Sequence, residues 1–363
     1  MHMDILFVTR KFLPMKGGME KVAYELYRHL SEMTNVKLVK WSGSNKWLPF
    51  ALPYLLLKSC WILLTNKIDV IYLQDGLLAP LGLILKLFKK PVVITIHGLD
   101  ITYKNRFYQF LVPRCIRRLD KIICISHATK QECVSRGIPK EKITVISDGV
   151  SDEFYINEDK KILKCRLEKE LNLELREKKI LLSVGRLVER KGFHWFIGNV
   201  IPKLLKQRND FVYLIAGDGV FRKVIKNAIK RNGLDKHVIM LGKVDDRILK
   251  LLYNASDIFV MPNIPVKGDM EGFGIVALEA ASCGVPVIAS GLEGLKDAIK
   301  NGKNGVLVEP YNTDRWVGVI NRLLKNNEER EHFGKMARKF SLESYEWKKI
   351  AKKYLEELKG VFA

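Results

Sequence analysis

The chain has 363 residues, 47% of them hydrophobic and 28% charged, with 26 glycines and 12 prolines. At roughly 150 residues per domain this length predicts two globular domains, and the composition excludes a disordered tail, a collagen-like chain and a disulfide scaffold. The formal charge is +22; residues 1–150 carry 23 basic against 11 acidic side chains, so the basic excess is denser in the first half.

A basic surface attracts phosphates, whether of nucleotides or of an anionic membrane, but it also arises from solvated lysines alone. No basic helix with interleaved aromatics points to nucleic acid. The six cysteines never occur as C-x-x-C, which argues against structural zinc and for reduced thiols in a cytoplasmic protein. The N-terminus lacks the pattern of a secretory leader, so the expectation is a chain that needs no processing.

In chain order the pattern alternates strand and helix. Candidate strands are Ile5–Thr9, Val36–Trp41, Asp69–Leu73, Val92–Ile96, Lys121–Ile125 and Ile143–Ile146. Helices are predicted at Glu20–Glu32, Leu77–Phe88, Asn105–Arg118 and His127–Arg136. The apolar stretch Trp47–Thr65 contains Pro49, Pro53 and Lys58. Lys58 alone costs about 2.5–3.5 kcal/mol at a bilayer centre, so the stretch reads as a crossover helix on a sheet, with aromatic and basic residues left to touch lipid.

A charged link from Ser151 to Lys178 follows, and then a second series of strands: Ile180–Val184, Val212–Ala216, Val238–Leu241, Asp257–Met261, Val285–Ala289 and Gly305–Val308. Its helices are Phe193–Gln207, Arg222–Arg231, Asp246–Asn254 and Ile275–Cys283, and helix continues from Asn312 to the end. Apolar strands without polar alternation are parallel strands covered on both faces. The fold class is therefore α/β, with two Rossmann-like, doubly wound domains whose natural ligand site is a cleft. The expected division is 1–155, 156–340 and a C-terminal helix at 341–363.

Chemistry concentrates at strand ends. In Glu271-Gly-Phe-Gly-Ile-Val-Ala-Leu-Glu279, Gly272 and Gly274 allow a tight bend, and the following helix start favours anions. Glu279 lies about 7 Å along that helix; a glycine-rich loop with two solvated glutamates remains the plainer alternative. VGRLVERKG (184–192) sets Arg186, Arg190 and Lys191 at a strand's carboxyl end, where a guanidinium fork and an ammonium can neutralise a leaving diphosphate or simply be solvated. Ile215–Gly219 is another glycine-rich turn, with Gly217 and Gly219. Lys16-Gly17-Gly18-Met19-Glu20 follows the first strand, and His97, with Asp100 beyond it, follows the fourth. Neither G-x-G-x-x-G nor a Walker A loop is present. No D-x-D stands where a nucleotide-bound metal would be held; Asp269-Met-Glu271 comes nearest.

Together these segments resemble the family 4 retaining glycosyltransferases of the GT-B fold, over nearly the whole chain. The resemblance implies a nucleotide-diphosphate sugar on the second domain, with Glu279 on the ribose and Arg186 and Lys191 on the diphosphate. It further implies the Gly17 and Gly18 amides assisting there, Glu271 and the amides of Gly272, Phe273 and Gly274 on the sugar, and His97 on the acceptor side. The C-terminal helix would cross back to the first domain. Asp148 replaces the family's hinge asparagine, and His194-Trp195 stand where acidic or small residues are usual. The Pro262–Asp269 insert is similar to the branch acting on lipid-linked acceptors.

The expected activity is metal-independent, retaining transfer of a hexose from a UDP- or GDP-sugar to a hydroxyl of a lipid-linked or glycan acceptor. No cofactor is expected, and the setting is the cytoplasm or the cytoplasmic membrane face. The rival readings are a nucleotide-sugar epimerase and a catalytically silent basic binding module.

Overall fold

The computed structural model describes residues 3–14, 17–43 and 45–362. The chain forms two compact units. The first comprises Met1–Gly149, Gly268–Phe273 and Tyr345–Ala363, the second Val150–Lys267 and Gly274–Ser344.

The first unit is a six-stranded sheet of β1 (Asp4–Thr9), β2 (Asn35–Lys40), β3 (Val70–Leu73), β4 (Val92–Ile96), β5 (Lys121–Cys124) and β6 (Ile143–Val145). Its helices are α1 (Gly18–Ser31), α2 (Leu48–Thr65), α3 (Ala79–Leu85), α4 (Leu99–Thr102), α5 (Arg106–Arg117) and α6 (His127–Ser135). The strand order is β2-β1-β3-β4-β5-β6, and every pairing is parallel. All five residues of β4 are buried, because helices cover both faces of a parallel sheet.

The second unit holds β7 (Lys179–Val184), β8 (Phe211–Ala216), β9 (Val238–Gly242), β10 (Ile258–Met261), β11 (Val287–Ser290) and β12 (Gly305–Val308). Between and after them run α7 (Lys160–Leu171), α8 (Phe193–Asn199), α9 (Ile201–Leu205), α10 (Arg222–Arg231), α11 (Asp246–Ala255), α12 (Ile275–Ser282), α13 (Leu295–Ala298), α14 (Thr313–Lys325) and α15 (Asn327–Tyr345). The order β12-β11-β10-β7-β8-β9 is the doubly wound arrangement of dinucleotide-binding sheets.

Both sheets match the predicted strands to within two residues at each end. Two of the predicted stretches differ, and the last helix packs as expected. The predicted helix from Phe193 to Gln207 divides at Val200, where Pro202 near the start of α9 removes a backbone donor. The charged link contains α7, which Asp159 caps by accepting the Lys161 N–H at 2.7 Å. The last helix, α16 (Trp347–Phe362), belongs to the first unit. It packs on α1, and its Tyr354 meets Tyr72 edge-on at 6.0 Å. Its Glu357 accepts from Lys121 at 2.9 Å and from Thr144 at 3.1 Å.

α7 buries Leu163 and Leu167 and is also held by charge. Asp257, which directly precedes β10, is buried and accepts from Lys164 at 2.9 Å and from the Ile180 N–H at 2.8 Å, with Arg330 3.4 Å away. Burial would push its carboxyl upward, but Lys160, Lys164 and the hydrogen bonds hold it at about 2. Asp257→Asn leaves Lys164 and Arg330 buried without their counter-charge and should cost about 3–5 kcal/mol. The depressed value means this stabilisation is complete above pH 4 and is lost as pH falls toward 2. Denaturant unfolding should show a large loss at pH 7 and a flatter acid limb in the variant; a loss below about 1 kcal/mol would contradict the assignment.

Candidate active site

Ligands of doubly wound sheets sit beyond the carboxyl ends of the strands where strand order reverses. In the second unit that point lies between β7 and β10, and the loops leaving these strands carry the predicted basic cluster and the Gly-Phe-Gly turn. They are joined through backbone: the Ile264 N–H donates to the Arg190 carbonyl at 2.9 Å. Gly192 has φ +66, and a Cβ there would fall 1.9 Å from the Pro262 carbonyl oxygen.

The loop after β8 closes in from the other side. Gly217 has φ +145, and a Cβ there would fall 1.8 Å from the Gly185 oxygen; at Gly219 it would meet the Leu187 oxygen at 2.4 Å. The Gly185 and Leu187 N–H groups donate to Ala216 and Asp218, each at 3.0 Å. Packing between loops thus accounts for both glycines. Within this frame Lys191 is buried, its Nζ 3.7 Å from where a Gly185 Cβ would stand. Arg190 is buried as well, whereas Arg186 is exposed.

α12 begins at Gly274, whose φ of +89 and lack of a capping side chain leave its first-turn amides to other acceptors. In its second turn Glu279 is buried and accepts from the Tyr253 hydroxyl at 2.9 Å. Burial and the Glu279 charge push the Tyr253 hydroxyl well up, so it stays a proton donor. Tyr253 is wedged between Phe154 and Phe259, with ring centroids at 5.5 and 5.9 Å. His194 packs its ring on Phe221 at 5.4 Å, and burial lowers its pKa.

In the first unit the order reverses between β1 and β3, and the Arg10–Asp75 ion pair, 2.9 Å long, spans that point. His97 ends β4 and is buried. Its backbone N–H donates to Asp100 Oδ1 at 2.9 Å, and Asp100 Oδ2 accepts from the Gly76 N–H at 2.9 Å. The ring Nε2 lies 2.8 Å from the Gln74 carbonyl oxygen. A carbonyl can only accept, so Nε2–H donates to it and the ring is held in one orientation.

Burial pushes the Asp148 carboxyl up to about 6 against the opposing pull of His97, and its Oδ1 has no hydrogen-bond partner among the described residues. The segment Gly268–Phe273 rests on this turn. A Cβ on Gly272 would fall 2.1 Å from the His97 oxygen, and one on Gly98, at φ +98, 3.0 Å from Gly272 Cα. Glu271, next to Gly272, is buried, and Phe273 meets Tyr345 at 6.2 Å.

Gly17 precedes α1 with an extended φ of 176 and no side-chain cap. A Cβ there would meet a Glu20 carboxylate oxygen at 2.3 Å, and Glu20 pairs with Lys11 at 3.2 Å. Lys16 of the KGGME motif lies outside the described residues. The structure thus groups His97 with the Glu271–Gly272 backbone in one unit, and Lys191, Arg186, Gly217, Gly219, Gly274 and Glu279 in the other. Gln74, Asp75 and Tyr253 were not singled out from sequence. Gln74 and Asp75 directly follow a strand at the reversal, a signal that could have found them, whereas Tyr253 has none. Among the described residues no group of three or more His, Cys, Asp or Glu is placed to hold a metal ion.

The family model for glycosyl transferases group 1 matches residues 166–340, and that for glycosyltransferase family 4 matches residues 32–154. An uncharacterised glycosyltransferase of Methanocaldococcus jannaschii is 32% identical over 81% of this chain and 76% of its own length. A GDP-mannose-dependent α-(1-6)-phosphatidylinositol monomannoside mannosyltransferase of Mycolicibacterium smegmatis is 26% identical over 98% of each chain. Among solved structures, Anabaena HepE in complex with UDP and glucose superposes with a TM-score of 0.76 at 21% identity, over 99% of this chain and 100% of the other. The chain therefore belongs to the family 4 glycosyltransferases, GT-B enzymes that move a hexose from a nucleotide-sugar donor.

Proposed function

We propose that the enzyme transfers a hexose from a UDP- or GDP-sugar to a hydroxyl of a lipid-linked or glycan acceptor, with retention and without a divalent ion, at the cytoplasmic membrane face. Residues 1–155 serve the acceptor and 156–340 the donor, with 341–363 completing the first domain. The observation that carries this is Lys191, a cationic side chain buried at the point of strand reversal, the place where doubly wound sheets bind their ligands. The mannosyltransferase and the UDP-bound neighbour favour a nucleotide-diphosphate donor.

On this reading Lys191 and Arg186 neutralise the leaving diphosphate, with the Gly17 and Gly18 amides assisting. Gly217 and Gly219 shape the adjoining loop. Glu279, oriented by Tyr253, takes the ribose hydroxyls. Glu271 and the amides of Gly272, Phe273 and Gly274 hold the sugar beside His97. The bond from the anomeric carbon to the leaving phosphate oxygen breaks as the acceptor oxygen bonds to that carbon on the same face. The acceptor's proton passes to the departing phosphate, so no protein nucleophile is required.

A thermal-shift screen over UDP- and GDP-sugars identifies the donor, which stabilises the enzyme by mass action. With that donor, Lys191→Ala should lower kcat about 10²–10³-fold, the cost of losing one group that stabilises developing charge. A kcat within about threefold of wild type would remove Lys191 from the mechanism.

Asp148 tests the cluster around His97. Its folded value of about 6 exceeds the unfolded one near 3.9, so stability is full below pH 4 and falls as pH rises through 6. Asp148→Asn should stabilise the protein by about 2–3 kcal/mol at pH 7.5 and by little at pH 4. Equal effects at both pH values would contradict the burial assigned to this carboxyl.

A further inference from the structure

α2 is apolar on every side. Ala51, Leu55 and Ser59 are buried, and Leu52, Leu56 and Ile62 pack on the sheet core. On the opposite side Trp47, Phe50, Tyr54, Leu57, Trp61 and Leu64 recur at intervals of three and four residues, which aligns them along one edge of the helix. They face outward: Leu57 is 71% exposed, Trp61 67% and Leu64 74%. The patch extends beyond α2. α3 packs against both α2 and α5, and Leu87 just after α3 is exposed, as are Phe107 and Phe110 on α5. Large contiguous apolar surfaces on a folded domain mark an interaction site.

The exposed charges on these helices have one sign, and Asp120 beside them is paired with Lys86. Lys58, Lys89, Arg106, Arg114 and Arg117 are exposed, and α2, α3 and α5 contain no acidic residue. Between residues 46 and 90 the acidic residues are Asp69 and Asp75, both buried. Two of the cations lie over aromatic rings, Lys58 at 5.5 Å from the Tyr54 centroid and Arg114 at 4.1 Å from that of Phe110.

From these features we infer that the outer surface of α2, α3 and α5 docks on an anionic lipid bilayer, with α2 lying in the plane of the headgroups. By length and hydropathy α2 qualifies as a span, but a span needs lipid all around, and here one side is packed on the protein sheet. Trp and Tyr beside Leu and Phe suit the boundary between headgroups and acyl chains. Basic side chains at its rim reach the lipid phosphates. A second copy fits less well, since symmetric pairing through this face would set its cations against one another. The inference rests on the membrane-face placement proposed above and supplies the surface for it, while the docking itself requires no donor or acceptor.

The test is sedimentation of the full-length protein with vesicles of phosphatidylcholine alone or mixed equally with phosphatidylglycerol, in parallel with donor turnover on a soluble acceptor. Wild-type partitioning should be at least about tenfold stronger on the anionic vesicles and should weaken with salt. The combined Leu57→Ser, Trp61→Ser and Leu64→Ser variant should lose at least about tenfold of it. A second variant, Lys89→Gln with Arg106→Gln and Arg114→Gln, should lose the anionic preference. Both should keep the wild-type melting temperature, since every substituted residue is exposed.

Wild-type protein indifferent to anionic lipid, or a serine variant that binds as well as wild type, overturns the inference. So does a wild-type dimer that the serine substitutions dissociate without any vesicle binding, which would make a second copy the occupant. Vesicle binding with no turnover of any donor supports the docking surface and counts against the transfer reaction alone.

Discussion

In the second unit the loops after β7, β8 and β10 meet backbone to backbone where strand order reverses. Gly192 lies against Pro262, Gly217 against Gly185 and Gly219 against Leu187, each at a distance that leaves no room for a Cβ. This steric constraint places the rest of the site in that unit. It keeps Lys191 buried beside Gly185 and joins the loop that leads toward α12 to the basic loop through the Ile264–Arg190 hydrogen bond. A charged side chain fixed before the ligand arrives loses little freedom on binding, which is how preorganised electrostatics contributes to catalysis.

The first unit solves a related problem with carboxylates. Asp75 and Asp100 tie the ends of β3 and β4 together by accepting from Arg10, Gly76 and the His97 backbone. With the Gln74 carbonyl accepting from Nε2–H, the His97 ring is fixed in one orientation. The Gly272–His97 contact then brings residues 268–273 to this turn from more than 170 positions away.

The strands were legible because a parallel strand covered on both faces must be a short apolar run. Pro286 has no N–H to donate to a neighbouring strand, and β11 starts after it at Val287. α7 was not legible, because its buried Leu163 and Leu167 are a short apolar pair among many charges, and the Lys164–Asp257 contact that also anchors it leaves no periodic trace. The break at Val200 was signalled by Pro202, which a continuous helix from Phe193 would have held in its interior and which instead stands in the first turn of α9. At the site, residue types at strand ends identified Arg186, Lys191, His97 and Glu279 as candidates. What holds them escaped sequence reading, since Tyr253 and Gln74 act through a hydroxyl and a backbone carbonyl brought in by tertiary packing. On α2 only Lys58 and the aromatic residues marked the outer side, because the leucines are spread around the whole helix.

The central claim is that fixed cations and peptide amides neutralise the departing diphosphate. Turnover of the stabilising nucleotide sugar, measured in excess EDTA and again with added magnesium or manganese, tests it directly. Rates within about twofold across the three conditions are predicted; loss of turnover in EDTA with recovery on adding either metal would contradict it.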